Sequence, residues 1–129
     1  MRGRWRLTGD EGSSLAEFAM TVAVLAPLLL TLLQIGAVLH VRNTLRSEAA
    51  EGARIAAAAD RTPGDGADRA GSLARASFGA LQPHAEAGSG QVDGVPVVWV
   101  RLTARTPVLG WLRRGPGTVA VTAHALDER

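Results

Sequence analysis

The most constraining feature of this chain is a long apolar segment near its N-terminus. From Phe18 to Leu39, 22 consecutive residues carry no charged side chain. As a helix, this segment is about 33 Å long, enough to cross the roughly 30 Å hydrocarbon core of a bilayer. The segment therefore predicts a transmembrane helix, to which we assign residues 13–41.

Two other interpretations of this segment fit the sequence less well. The rest of the chain is too short and too polar to enclose it as a buried core helix. A secretory signal has an apolar part of about 7–15 residues, and no small-residue cleavage site follows Leu39 closely. We therefore expect a retained anchor in the cell membrane.

Charges beside the segment indicate its orientation. Three arginines precede it and two follow it before residue 47, so the positive-inside rule slightly favours a cytoplasmic N-terminus. We expect a single-pass protein whose C-terminal domain lies outside the cytoplasm. The cell surface is a second location that fits this orientation.

The composition argues against several classes of protein. The 129 residues allow one small domain beyond the anchor, and the absence of cysteine excludes a disulfide scaffold and a Cys-ligated zinc site. A net charge of +2 does not predict a nucleic-acid partner. His40, His84 and His124 lack metal-ligand spacing, and no nucleophile elbow or phosphate-binding loop is present. We predict no catalytic residue, metal, cofactor or small-molecule substrate, and hence a protein that is not an enzyme.

Helical periodicity continues beyond the predicted membrane segment, over residues 42–59. Small or apolar residues recur at helix spacing, at Val41, Leu45, Ala49, Gly52 or Ala53, and Ala56. Glu51 and Arg54 lie on the polar face, three residues apart, and can form an ion pair. Small residues allow close helix approach. The sequence leaves open whether this stripe packs on neighbouring subunits or on the chain's own C-terminal domain.

Residues 60–129 predict a small α+β domain. A proline and two glycines within residues 60–66 end the long helix. A second helix is expected over about 67–81, with one apolar side formed by Ala70, Leu73, Ala74, Phe78 and Leu81. The glycine-containing stretch 82–96 is expected to be a loop.

Alternating hydrophobicity predicts two strands, at residues 97–105 and 118–126. Their buried faces should consist of Val98, Val100, Leu102 and Ala104, and of Val119, Val121, Ala123 and Ala125. We expect the strands to pair antiparallel across a long connection. Trp111, Arg113 and Arg114 in this connection either contact lipid head groups or a partner, or fold over the sheet.

A short motif precedes the apolar segment. Gly12 is followed by Ser13, and Glu17 lies five residues after Gly12. Ser14 and Glu17 also have the spacing of a capping box, with Ser14 as N-cap and Glu17 in the first helical turn. Spacing alone leaves open whether the motif is a processing signal or an ordinary helix start.

The motif and its continuation resemble a known family. The segments EGSSLAEFAMTVAVLAPLLLTLLQIG and VRNTLRSEAAEGARIAAAA, within about residues 11–59, are similar to the TadE-like family of tight-adherence (Tad) type IV pilus assembly proteins. This resemblance implies a pilin-like fold with a long N-terminal helix, and a role as a minor pseudopilin in a Tad pilus assembly or secretion system.

The resemblance also implies roles for four residues. A prepilin peptidase would cut between Gly12 and Ser13 and remove a cytoplasmic leader, residues 1–12. Glu17 would then be the fifth mature residue, and its carboxylate would pair with the free amine of a neighbouring subunit during assembly, with Phe18 beside it. The implied partners are the lipid bilayer, the peptidase, other pilin-like subunits and Tad membrane components.

An alternative remains open at this point. The same anchor and domain would suit a single-pass, membrane-anchored extracytoplasmic accessory or binding protein with no pilus role. The effects of substituting Gly12 and Glu17 distinguish the two.

Overall fold

The computed structural model describes residues 10–106 and 117–128. The elements in chain order are α1 (Asp10–Ala57), α2 (Pro63–Phe78), a 3₁₀ turn (Gly79–Leu81), β1 (His84–Val92), β2 (Val95–Thr106) and β3 (Gly117–Leu126). A long helix, a short helix and a small antiparallel sheet make an α+β fold, and the predicted fold class is confirmed. The chain divides into two compact units, Met1–Gly36 and Ala37–Arg129.

The described part of the N-terminal unit is helical and unburied. Its most apolar 18-residue window has a mean hydropathy of 2.4, and none of that window is buried within the chain. Pro27 lies inside α1 and lacks an N–H, so the carbonyl of Ala23 loses its usual helical donor. The hydroxyl of Thr21 donates to the carbonyl of Glu17, at 2.9 Å, and that of Thr31 to the carbonyl of Pro27, at 2.8 Å. The predicted apolar helix is confirmed, and it is long and apolar enough to cross a membrane.

The stripe predicted on the second half of α1 forms part of the core of the C-terminal unit. Val41, Leu45, Ala49, Ala53 and Ala56 are all buried there. They belong to one apolar cluster with residues of α2, β2 and β3. Of the two possibilities that the sequence left open, the structure supports packing on the chain's own domain for this half of the helix. The predicted ion pair is also present, with 3.3 Å between Arg54 Nη2 and Glu51 Oε2.

The two helices approach most closely at a pair of glycines. A Cβ placed on Gly52 would lie 2.5 Å from the carbonyl oxygen of Gly66 and 2.7 Å from Ala70 Cβ. A Cβ placed on Gly66 would overlap the carbonyl oxygen of Gly52 and lie 2.5 Å from Ala56 Cβ. Real Cβ contacts are longer than this, so the backbones can meet only because both positions are glycine.

A capping box fixes the start of α2. The Thr62 hydroxyl accepts from the Asp65 N–H at 3.3 Å, and the Thr62 N–H donates to Asp65 Oδ2 at 2.8 Å. With Pro63 at the first helical position, the helix begins four residues before the predicted start. Ala70 and Ala74 are buried on the predicted side, whereas the larger residues at 73, 78 and 81 are half-buried.

The sheet has the order β1-β2-β3, with both pairs antiparallel. The two predicted strands are confirmed as parts of β2 and β3, and they pair without interruption from Thr106 opposite Gly117 to Val97 opposite Leu126. The predicted inward residues of β2 are buried, as are Val119 and Val121, while Ala123 and Ala125 are half-buried at the edge of the cluster.

The predicted loop over 82–96 is wrong, because most of it is strand. β1 occupies His84–Val92, and β2 begins at Val95. Asp93 and Gly94 connect the strands with φ values of 52° and 80°, the two positive values that a type I′ hairpin turn requires. The Asp-Gly pair between Val92 and Val95 is the sequence feature that indicates a hairpin. It is a stronger indication than the one that the preceding glycines give for a loop.

Two glycines that suggested a loop instead accommodate a tryptophan. Gly88 lies opposite Trp99 in the register, and a Cβ on Gly88 would lie 2.6 Å from the Trp99 ring. A Cβ on Gly90 would also lie at ordinary contact distance, 3.8 Å, from that ring. The ring therefore lies across the backbone of β1, and the Arg101 guanidinium is 5.7 Å from its centre.

The chain's last described residues contact the end of α1. The Asp127 N–H donates to the Pro96 carbonyl at 3.1 Å, and the Glu128 N–H donates to the Ala57 carbonyl at 3.2 Å. This second bond satisfies one of the carbonyls left open at a helix C-terminus. The predicted connection containing Trp111, Arg113 and Arg114 lies outside the described residues.

We expect Gly52→Ala and Gly66→Ala each to lower the free energy of unfolding by about 1–3 kcal/mol, because the added methyl must push the helices apart. Chemical denaturation of the full chain in detergent would measure this. Gly79→Ala is the matched control, because a Cβ there meets nothing within 4 Å and the backbone is already helical. Equal stability of all three variants would contradict the close helix contact.

We expect the capping box to make stability sensitive to acid. Bonds from the Thr62 N–H and hydroxyl, with a smaller effect of the Arg61 charge, lower the pKa of Asp65 below its ordinary 3.8. This stabilisation is complete above that value and disappears as the pH falls through the lower folded pKa. Asp65→Asn should reduce the acid-side dependence of unfolding, whereas Asp68→Asn, one turn further along α2, should retain it. An unchanged pH profile for Asp65→Asn would contradict this role.

Candidate processing and assembly site

The residues singled out at the membrane entry all lie on one exposed stretch of α1. Gly12, Ser13, Glu17 and Phe18 are exposed to solvent, and 67% of the Phe18 surface is accessible. A Cβ on Gly12 would meet no atom within 4 Å. No other part of the described chain covers this stretch, so its side chains are available for contact with another molecule.

The structure does not support the capping-box interpretation of this motif. α1 begins at Asp10, four residues before Ser14, so Ser14 lies inside the helix and not at its N-cap. Glu17 is about two turns from the helix start, where the favourable interaction of a carboxylate with the helix dipole has largely decayed. A helix start therefore does not explain the acidic residue at this position.

Helix geometry brings Ser13 and Glu17 together. Residues four apart lie on the same face, one turn from each other. The Glu17 carboxylate therefore lies on the side of the helix where a new amine would appear if the bond before Ser13 were cut. Such an amine is cationic at neutral pH and can pair with the carboxylate, its own or that of a neighbouring helix.

Glu17 is also the last charged residue before the apolar segment. The following 22 residues carry no charge, so Glu17 marks the point at which the helix becomes wholly apolar. A carboxylate at a bilayer centre costs about 2.5–3.5 kcal/mol, and less near the interface. A carboxylate in this place gains most from a cationic partner in the same layer of the membrane.

A second acidic residue was not singled out from the sequence. Glu48 on α1 is 8% exposed, and its Oε1 accepts a hydrogen bond of 2.5 Å from the Ser77 hydroxyl on α2. Its Oε2 has no hydrogen-bond partner among the described residues. Its position beside the apolar stripe, three residues after Leu45, is the sequence feature that could have indicated its burial. Its partner is 29 positions away and could not be inferred from local pattern.

The histidines remain separate in the fold. His40 contacts the Phe78 ring edge-on, with 6.1 Å between ring centres, and His84 Nε2 lies 3.6 Å from Glu86 Oε1. His124 is exposed on β3. Within the described ranges, no three or more side chains of the usual metal-ligand types come together.

Comparison with known proteins agrees with the motif. No curated protein and no solved structure matches the chain. The family model described as TadE-like protein matches residues 12–54, which begins at Gly12 and extends through the apolar segment to Arg54. The predicted resemblance is confirmed: over this third of its length, the chain is similar to the TadE-like family of Tad pilus-associated proteins.

Proposed function

We propose that this protein is a pseudopilin-like, non-enzymatic component of a Tad-type pilus assembly or secretion system. One observation carries the proposal. The segment that matches the family contains an exposed Gly12 and an exposed Glu17, directly before an apolar helix that nothing in the described chain covers. The chain would be anchored by this helix, with its N-terminus in the cytoplasm and its C-terminal domain outside.

The first step of the proposal is proteolytic. A prepilin peptidase would hydrolyse the peptide bond between Gly12 and Ser13, leaving a carboxylate on the leader and a new amine on Ser13. Glycine suits this position because it has no side chain to clash with a narrow active site. It also lowers helix stability by about 0.8–1.0 kcal/mol relative to alanine, which eases the local unwinding that access to a helical bond requires.

The second step is lateral assembly. The new Ser13 amine and the Glu17 carboxylate carry opposite charges and lie in the same layer of the membrane. Pairing the amine of one subunit with the carboxylate of the next neutralises both where burial of a single charge is costly. Phe18, which follows Glu17 directly, would add an exposed aromatic surface to the same contact.

The partners of the proposal follow from these two steps. They are the lipid bilayer, the prepilin peptidase, other pilin-like subunits and the Tad membrane components. An accessory or binding protein with a plain anchor would share the bilayer but would need neither Gly12 nor Glu17.

We expect Gly12→Ala to reduce cleavage of the leader, because the added methyl hinders entry to the peptidase and stabilises the helix at the bond. The measurement is the mass of the protein extracted from membranes that contain a matching prepilin peptidase. Gly36→Ala is the control, since it makes the same change in the same helix where a Cβ also meets nothing. Full-length protein from the unaltered chain, with active peptidase present, would contradict processing.

We expect Glu17→Gln to leave membrane insertion intact and to reduce co-assembly, because the substitution keeps the shape but removes the charge that pairs with the amine. Detergent dependence of extraction would report insertion, and co-purification with tagged pilin-like subunits would report assembly. Glu51→Gln makes the same change at a half-buried glutamate of α1 outside the apolar segment and provides the control. Normal assembly of Glu17→Gln would favour the plain anchor.

A further inference from the structure

Within residues 10–106 and 117–128, the three-stranded sheet has two unpaired edges. β1 and β3 are the outer strands, and each is paired with β2. Among the described residues, no backbone hydrogen bond joins either outer strand to anything except β2. The outward N–H and C=O groups of both strands can therefore accept another strand.

β3 lacks the features by which proteins usually protect such an edge. Its ten residues, Gly117–Leu126, contain no Asp, Glu, Arg, Lys or proline. Its pairing with β2 is continuous, so no bulge bends the strand away. A long, regular and uncharged edge is the kind of surface to which a further strand adds.

We infer that β3 of one copy pairs with β1 of the next copy, so that neighbouring sheets join into one. β1 and β3 both run antiparallel to β2 and are therefore parallel to each other. Placing β1 of a second copy beside β3 by simple translation gives a parallel pair and leaves both copies pointing the same way. This inference rests on the proposed membrane anchoring, which requires that common direction.

Antiparallel pairing of β3 with β3 of a second copy would not leave the two copies pointing the same way. The buried stripe of α1 runs along the helix from Val41 to Ala56, so the helix lies along the inner side of the sheet. A twofold axis through the sheet would reverse α1 between the copies and turn their Ala37 ends in opposite directions. A copy related by translation keeps its Ala37 end on the same side, as the proposed anchoring in one membrane requires.

The charges of the two edges are compatible. Glu86 is the acidic side chain of β1, and His84 lies 3.6 Å from it. β3 presents no acidic side chain opposite them, so joining the edges creates no contact between like charges. This contact is heterologous, with a different surface on each copy, so it can repeat from copy to copy without closing.

The absence of native cysteine makes this contact directly testable. Two differently tagged copies of the full chain would be expressed in the same membrane. One carries Ala120→Cys or Thr122→Cys on β3, and the other carries a single cysteine at His84, Glu86 or Gly90 on β1. Oxidation should give disulfide-linked heterodimers. When the β3 cysteine moves from position 120 to 122, the β1 position that cross-links best should shift towards the C-terminal end of β1, because the strands are parallel.

Ser72→Cys, exposed on α2, is the control position and should give only background cross-linking. Adding Thr118→Lys and Ala120→Lys to the copy that carries Thr122→Cys should abolish its specific disulfides, since edge charges oppose strand addition. The matched control, Ala76→Lys with Ala80→Lys, changes charge equally at exposed sites away from β3 and should leave them unchanged.

Three results would overturn the inference. These are cross-linking no greater than at Ser72, cross-links between two β3 cysteines in place of β3 with β1, and cross-links of β3 to a different polypeptide only. Detergent dependence of extraction is measured on the same membranes, so a failure of anchoring is distinguished from a failure of strand pairing.

Discussion

The C-terminal unit depends on the close contact between the backbones of α1 and α2 at Gly52 and Gly66. Because neither residue has a side chain, the two helices can bring their alanine-rich faces together and against the sheet. Among the described residues, the largest fully buried side chains are only leucine and valine. A core of such small residues gains its stability from many short contacts, which are lost together if the helices move apart.

Much of this fold could be predicted from periodic patterns. The stripe on α1 and the inward faces of β2 and β3 were predicted correctly, because helix and strand repeats directly reflect burial. β1 was missed because its apolar positions are mostly alanine and its outer face carries two glycines. Those glycines make room for the Trp99 ring on the next strand, and this contact cannot be inferred from a local sequence pattern. The Glu48–Ser77 bond was missed for the same reason, because its partners are distant in sequence.

For the candidate site, the sequence identifies the residues and the structure adds their geometry. Its residues could be named from the order of glycine, glutamate and apolar segment, together with the family resemblance. The structure contributes their exposure and their helical geometry, and the early start of α1 argues against a simple helix cap. Whether a bond is cut depends on an enzyme outside the chain, so the roles of Gly12 and Glu17 stand as proposals supported by position.

The two threonine hydroxyls of the apolar segment are occupied by carbonyls of their own helix. Their protons are therefore used within the helix, and each hydroxyl can offer a neighbouring helix only a hydrogen-bond acceptor. Gln34 is the other polar side chain of the segment. On the proposed anchoring, adjacent helices would therefore pack mainly through the shapes of their apolar side chains, with Glu17 as the charged group near one end.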